Sequence, residues 1–112
     1  MRRYVPERGD LVWISFSPHA GRKQAGRRPG LILSPSKYNG RGGLALACPI
    51  TSRIKGYPFE VRIDGAGDIS GVVLVDHLRS LDWQVRKTEY AGKAPAPVLQ
   101  EVIARLRPLL EL

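Results

Sequence analysis

A cationic, glycine-rich segment holds the most concentrated chemistry in this 112-residue sequence. Residues 19–30 read HAGRKQAGRRPG and contain no acidic residue. The cations of the segment are Arg22, Lys23, Arg27 and Arg28. Guanidinium groups hold phosphate oxygens through paired N–H bonds, and glycines let the backbone approach a ligand closely. Arg28 and Pro29 directly precede a predicted strand that begins at Gly30, so we expect Arg28 to be the positioned cation. The other cations should supply general attraction for an anionic ligand.

The net charge of +8 belongs entirely to one part of the chain. Residues 11–59 hold eight cations and no acidic residue, while the ten other basic residues balance the ten acidic ones. Such a one-sided field attracts polyanions, nucleic acid first and an acidic protein second. A basic surface that only aids solubility is the alternative interpretation of the charge alone.

Several common chemistries have no counterpart in the sequence. His19, His77 and Cys48 do not have the spacing of a zinc site. No phosphate-binding loop ends in Gly-Lys-Ser or Gly-Lys-Thr, and neither a nucleophile elbow nor a serine triad is present. The sequence therefore predicts a reaction that uses no metal and no cofactor, or no reaction.

The predicted elements are short strands followed by one helix. Strands are predicted at 11–16, 30–34, 44–51, 59–64 and 72–76, from apolar or alternating runs bounded by turn residues. Residues 35–43 are rich in turn signals, and 78–93 are ambiguous between a strand and a loop. Apolar residues recur at helical spacing from Val98 to Leu110, and Pro108 should strain or end the regular helix near Arg107. These elements predict a mainly β domain of residues 1–112, a small barrel or curled sheet of five to six strands with a C-terminal α-helix.

The location of the protein is predicted from what the sequence lacks. The N-terminal MRRYVPERGD has no apolar run after its basic residues, so it does not resemble a signal peptide. No segment approaches the roughly 18 apolar residues of a membrane helix. The single cysteine, Cys48, fits a reducing compartment. We therefore expect a soluble, cytoplasmic protein with no membrane partner.

Several stretches of the sequence resemble one family. RYVP, GDL, QAG.RP and KGYPFEV, together with GVVLVDHLRSLDW, are similar to the MazF toxin endoribonucleases, with PemK/Kid as a sister branch; the similarity runs from about Arg3 to Trp83. The resemblance implies an SH3-like barrel of the CcdB/MazF type and a homodimer. It also implies cleavage of single-stranded mRNA at a short sequence, and neutralisation by an acidic MazE-type antitoxin.

The resemblance also implies catalytic roles for two residues. Arg28 matches the arginine that stabilises charge on the scissile phosphate, and Thr51 matches a threonine whose hydroxyl bonds the same phosphate. RNA carries its own nucleophile, the 2′-hydroxyl, so the enzyme has only to align it and stabilise the transition state. The implied products carry a 2′,3′-cyclic phosphate and a 5′-hydroxyl.

The sequence departs from the family at one position of the loop. Family members have a glutamate where this chain has Lys23, within Arg22-Lys23-Gln24. Either the glutamate is dispensable, or cleavage is weakened, or another group accepts the proton. Asp76 is the leading substitute, since it matches the position of the base in the Kid branch, and His77 is the weaker option.

Further residues are candidates for contact with RNA. The wider set of predicted RNA-binding residues is Arg22, Lys23, Gln24, Arg27, Arg53, Lys55, Tyr57, His77, Arg79 and Arg86. Tyrosine stacks on bases and cations follow phosphates, although Tyr57 is equally compatible with packing against the core. Two other functions stay open: a non-catalytic gyrase inhibitor of the CcdB kind, and an RNA-binding relative whose Lys23 marks weakened cleavage.

Overall fold

Seven strands and two helices lie within the residues that the computed structural model describes, 4–17 and 27–112. The strands are β1 Asp10–Ser15, β2 Arg27–Ile32, β3 Leu44–Thr51, β4 Glu60–Ala66, β5 Ile69–Leu74, β6 Arg79–Asp82 and β7 Glu89–Lys93. The helices are α1 Ser36–Gly42 and α2 Ala96–Leu110, and a single 3-10 turn, Val75–His77, follows β5. Neither α1 nor α2 is long and apolar enough to cross a membrane, and the described residues contain no other α-helix.

The sheet is antiparallel and curls around β3. Its strand order is β4-β5-β3-β2-β1-β7, with β6 paired to β3 off this path. The first half of β3 pairs with β6, and its last residues, Ile50 and Thr51, pair with β5. Because β6 and β5 pair with β3 in succession, the sheet curls there into a half-barrel. The predicted mainly β, barrel-like fold with a C-terminal helix is thereby confirmed.

Apolar side chains on the two faces of the sheet form two clusters. Alternation along β1 places Leu11 in one cluster and Val12 and Ile14 in the other. The first cluster is covered by α2, whose Val102 is completely buried. Tyr4 and Val5 of the N-terminal segment pack against the second. Burying these aliphatic side chains, at about 1.5–3 kcal/mol each, fixes the strands that carry the polar residues described below.

Three predictions about the elements need correction. The ambiguous segment 78–93 contains two short strands, β6 and β7, so the sheet has seven strands rather than five or six. Residues 35–43 form α1 instead of a plain turn. Asn39, taken from the sequence as a turn residue, is fully buried and donates from its side chain to the carbonyl oxygens of Pro6 (2.7 Å) and Ser34 (2.9 Å). Those tertiary bonds outweigh the local turn preference.

Pro108 does not end the helix, which was one of the two predicted effects: helix α2 runs through it to Leu110. Pro108 lies in the last turn, so the bond that its missing N–H removes, to the carbonyl four residues back, is among the final ones of the helix. Glu111 then adopts a left-handed conformation, and its neighbour Leu112 donates its N–H to the carbonyl of Arg107 at 2.9 Å, which caps the end.

Candidate active site

Arg28 and Thr51 lie on neighbouring strands at the same end of the sheet. The pairing of β2 with β3 ends at Gly30 and Pro49, and Arg28 and Thr51 each lie two residues beyond that last pair. Both residues line one cavity of about 660 Å³, which we name the Thr51 cavity. The structure thus brings together the two residues that the sequence singled out for phosphate binding.

Arg28 also separates the Thr51 cavity from a second one. The second cavity, of about 340 Å³, contains His77 and is named the His77 cavity. The Thr51 cavity is lined by Trp13, Arg27, Arg28, Pro29, Ile50, Thr51, Ser52, Arg53, Asp68, Ile69 and Ser70. The His77 cavity is lined by Phe16, Ser17, Arg28, Pro49, Leu74, His77 and Arg79. Arg28 belongs to both linings, so a ligand that occupies both cavities passes its guanidinium.

The Arg28 side chain is exposed and available to a ligand. Among residues 4–17 and 27–112, it has neither a hydrogen-bond acceptor nor an ion-pair partner. A guanidinium carries five N–H donors in a planar fork, which matches two oxygens of a phosphate. The arrangement therefore offers an unneutralised, bidentate anion site at the end of β2.

Two glycines hold the backbone beside these residues. A Cβ atom on Gly30 would lie 2.9 Å from the Phe16 ring, and one on Gly71 would lie 2.1 Å from the carbonyl oxygen of Thr51. Gly71 also has φ +122°, a conformation that side chains rarely adopt. The sequence analysis missed Gly71, although a glycine inside a strand is a known signal of close backbone approach.

The β3–β4 connection carries three of the predicted RNA contacts. Arg53 and Lys55 are exposed, and their side chains have no partner within the described part of the chain. The Glu60 carboxylate accepts the backbone N–H groups of Lys55 (3.1 Å) and Gly56 (2.7 Å). These two bonds hold the β3–β4 connection against β4. Of Arg53, Lys55 and Tyr57, only Arg53 lines the Thr51 cavity.

The hydroxyl groups of Thr51 and Tyr57 each keep a proton that they can donate. The Thr51 hydroxyl oxygen accepts the Arg53 N–H at 3.2 Å, which leaves the hydroxyl proton for a ligand. Partial burial raises the pKa of Tyr57, and the nearby Asp76 and Glu60 carboxylates raise it further. Tyr57 is therefore protonated at neutral pH and keeps a hydroxyl donor.

Asp76 and His77 lie in the 3-10 turn after β5. His77 lines its cavity together with Arg28, whereas Asp76 lines neither cavity. The His77 Nε2 atom is 4.0 Å from Asp76 Oδ1, so the carboxylate flanks the imidazole. His77 thus shares a cavity with Arg28, whereas Asp76 lies outside both linings. The role of Asp76 as proton acceptor stays a prediction.

Three of the predicted RNA-binding arginines bond to the protein itself. Arg27 pairs with Glu89 at 2.6 Å, and Arg79 donates to the carbonyl of Phe16, although both still line a cavity. Arg86 pairs with Asp82 at 2.6 Å, its side chain is only 10% exposed, and it lines neither cavity. Its guanidinium also donates to backbone carbonyls at the end of β1 and just beyond. Arg86 thus has a structural, bracing role: it holds the end of β1 and the residues just beyond it.

Some predictions fall on residues that the structure does not describe. Arg22, Lys23 and Gln24 lie within 18–26, outside the described residues, so nothing is added to their predicted roles. Asp68 and Ser70 also line the Thr51 cavity and were not among the predicted site residues. No local pattern marks a residue that lines a cavity formed by distant segments.

The remaining chemistry-bearing groups are structural. Cys48 is buried in the core, and burial, assisted by the Asp76 carboxylate, raises its pKa to about 12. The thiol is therefore protonated and unreactive at neutral pH. Across the described ranges, no three His, Cys, Asp or Glu side chains cluster as metal ligands would.

Comparison with known proteins gives a consistent result. A sequence profile described as PemK-like, MazF-like toxin of type II toxin-antitoxin system matches residues 7–110. The endoribonuclease toxin MazF of Escherichia coli K12 is 42% identical over 108 residues, which cover 96% of each chain. The crystal structure of MazF from Deinococcus radiodurans superposes with a TM-score of 0.89 at 56% identity, covering 98% of this chain and 100% of that one. A MazE-MazF complex from the same organism gives a TM-score of 0.85 at 54% identity, covering 96% of this chain and 97% of the other.

Proposed function

The chain belongs to the PemK-like, MazF-like toxins of type II toxin–antitoxin systems, and on this basis we propose that it cuts single-stranded messenger RNA through the 2′-hydroxyl of the RNA itself. The observation that carries the proposal is the shared cavity of Arg28 and Thr51, in which the Arg28 guanidinium has no partner among the described residues. The action is endoribonucleolytic, as it is in the relatives named above.

The proposed mechanism needs positioned donors more than it needs a reactive side chain. The 2′-oxygen forms a bond to phosphorus, the bond from phosphorus to the 5′-oxygen breaks, and a cyclic phosphate remains on the first fragment. The 2′-proton passes to an acceptor, and the leaving 5′-oxygen takes up a proton. Arg28 and the Thr51 hydroxyl stabilise the charge that grows on the phosphoryl oxygens. Because the nucleophile belongs to the substrate, we propose that no metal ion takes part.

Two side chains are candidates to accept the 2′-hydroxyl proton. The sequence predicts Asp76, with His77 second, and His77 is the one that lines a cavity with Arg28. Variants Asp76→Asn and His77→Gln therefore test the two groups separately. The group that accepts the proton is the one whose removal eliminates the acidic limb of the pH–rate profile.

An acidic antitoxin is the proposed partner. The basic half of the sequence, residues 11–59, presents a surface that a flexible acidic peptide can cover, and the peptide becomes ordered as it binds. A related toxin has been crystallised as a MazE-MazF complex. We further propose that the toxin is a homodimer that acts in the cytoplasm, where its substrate is translated.

Cleavage of a long mRNA by the purified protein, with and without EDTA, tests the proposed function. We expect discrete cuts that persist in EDTA and leave cyclic phosphate ends. Arg28→Ala should lower the rate at least a hundredfold, the scale of losing one positioned donor to the transition state.

A matched charge variant controls for general attraction. Arg41→Ala removes the same charge from exposed helix α1, away from both cavities, and should cut nearly normally. Equal activity of Arg28→Ala and Arg41→Ala would contradict the assignment of Arg28. Binding without cuts would instead favour an RNA-binding relative, and gyrase arrest with neither would favour a CcdB-like inhibitor.

A further inference from the structure

A single carboxylate stands out in the otherwise cationic Thr51 cavity. Arg27, Arg28 and Arg53 line this cavity, and Asp68 is the one acidic side chain in the described lining. Asp68 is exposed, and within residues 4–17 and 27–112 its carboxylate has no hydrogen bond or ion pair. An unpaired negative charge is thus directed into the space that we assign to RNA.

The turn itself does not require an acid at this position. Ala66 of β4 pairs with Ile69 of β5, so residues 67 and 68 form a two-residue hairpin turn. Gly67 supplies the positive φ of +65° that such a turn needs, and Asp68 does not have a positive φ. Gly-Asp is a usual pair for such a turn, but Gly-Asn and Gly-Ser serve it as well. Because the Asp68 side chain makes no bond to the turn backbone, the turn does not require the negative charge.

The chemistry of RNA narrows what the carboxylate can bind. A carboxylate only accepts hydrogen bonds, so it repels phosphate and attracts uncharged N–H groups. Adenine, cytosine and guanine each carry an exocyclic amino group, and uracil carries none. Uracil offers only its ring N3–H, which lies between two carbonyl oxygens that repel a carboxylate. A base that enters the Thr51 cavity while its phosphate lies on Arg28 therefore meets Asp68 more favourably when it has an exocyclic amino group.

We propose that Asp68 is a specificity-determining residue that selects an amino-bearing base, and rejects uracil, at a nucleotide next to the scissile phosphate. This inference rests on the proposed function. It assigns base recognition to Asp68 and phosphate recognition to Arg28 and Thr51. Base recognition and phosphate recognition involve different parts of the nucleotide, so separate variants can test them.

The test is cleavage of an RNA library that is randomised on both sides of one cut position, followed by sequencing of the ends. We expect the wild-type protein to cut uracil-containing sites about tenfold less at one position flanking the cut, the discrimination of a good base contact. The Asp68→Asn amide both donates and accepts, so this variant should cut sites with uracil at that position as readily as sites with the other bases.

Asp64→Asn is the matched control. Asp64 is an exposed acid of β4 in the same hairpin, lines neither cavity, and lies 3.9 Å from Arg62. This variant should keep the wild-type preference. The inference is overturned if Asp68→Asn and wild type give the same end profile. It is also overturned if Asp68→Asn slows all sequences equally and changes the pH–rate profile, because Asp68 would then be the proton acceptor.

A binding experiment distinguishes this inference from the proposed function. Arg28→Ala and Arg28→Ala/Asp68→Asn are each used to select bound RNA from the same library. Depletion of uracil by the first protein and not by the second supports Asp68 even if the wild-type protein cuts nothing. A library that the two proteins bind identically overturns the inference, whatever the result of cleavage.

Discussion

At the residue scale, the arginines of the site differ in whether the protein itself supplies an acceptor for their guanidinium groups. Arg28 is unpaired within the described residues, whereas Arg27, Arg79 and Arg86 are held by acceptors of the protein. An unpaired guanidinium keeps its full bonding capacity for a ligand. Arg53 is unpaired too but lines only the Thr51 cavity, so the lack of a partner together with a place in both linings singles out Arg28.

Thr51 gives a prediction at this scale. Thr51→Val keeps the shape of the side chain and removes the hydroxyl, so we expect the single-turnover rate of cleavage to fall about a hundredfold. RNA affinity should change much less, because the cationic contacts stay. Thr51→Ser restores the hydroxyl and should recover most of the rate. A valine variant that cuts at the wild-type rate would remove Thr51 from the proposed mechanism.

The same scale shows what the sequence alone could give. The local pattern marked Arg28, at the edge of a predicted strand, whereas Thr51 was proposed only through the resemblance to the toxin family. The bracing role of Arg86 was not predictable, since its acceptors include the carbonyl of Ser15, far away in the chain. The Asp68 position was likewise invisible, because its closeness to Arg28 depends on how the β4–β5 hairpin folds over β3.

At the scale of elements, the curl of the sheet is what assembles the site. Strand β3 pairs with β2 on one side and passes from β6 to β5 on the other, which brings Thr51 beside both β2 and β5. The strands themselves could be predicted from apolar alternation. Their pairing order could not, because it depends on contacts between distant segments.

Gly71 gives the prediction for this scale. Gly71→Ala places a Cβ atom 2.1 Å from the Thr51 carbonyl oxygen, at φ +122°. We expect it to lower the free energy of unfolding by about 2–3 kcal/mol or more, or to displace Thr51 and reduce cleavage. Denaturant unfolding and cleavage rates together distinguish these outcomes.

Gly40→Ala is the control for this substitution. Gly40 lies within helix α1, where a Cβ atom would meet Val5 at an ordinary 3.5 Å. We expect this variant to be as stable as wild type, or more stable by about 0.5–1 kcal/mol, since alanine favours a helix. If both alanine variants behave alike, the close approach of Gly71 to β3 is not what holds Thr51.

At the scale of the whole molecule, one buried carboxylate joins the N-terminal segment to the β1–β7 edge of the sheet. Asp10 of β1 is 2% exposed and accepts hydrogen bonds from the Tyr4 hydroxyl and from Lys93 of β7, each at 2.5 Å. The hydrogen bond to Asp10 raises the pKa of Lys93, and burial followed by the Asp10 bond raises that of Tyr4. The fold therefore favours the protonated form of both groups.

The pH dependence of stability follows from the direction of these shifts. A group whose pKa is raised in the folded state stabilises the fold fully below its unfolded pKa, which is about 10 for tyrosine and about 10.4 for lysine. That stabilisation is lost as the pH rises through the folded values. We expect the free energy of unfolding contributed by this cluster to be constant from pH 7 to about pH 9.5 and to fall above it.

Urea unfolding of wild type and Asp10→Ala across pH 7 to 11 measures this contribution. Removing the buried carboxylate should cost about 3 kcal/mol at neutral pH. Other lysines and tyrosines titrate in both proteins, so their effects cancel in the difference between the two. That difference should shrink above about pH 10, as the unfolded wild-type chain loses the Lys93 and Tyr4 protons that the folded state still holds. A difference that stays constant to pH 11 would show that Asp10 acts through packing, and that its bonds to Lys93 and Tyr4 do not tie the N-terminal segment to the sheet.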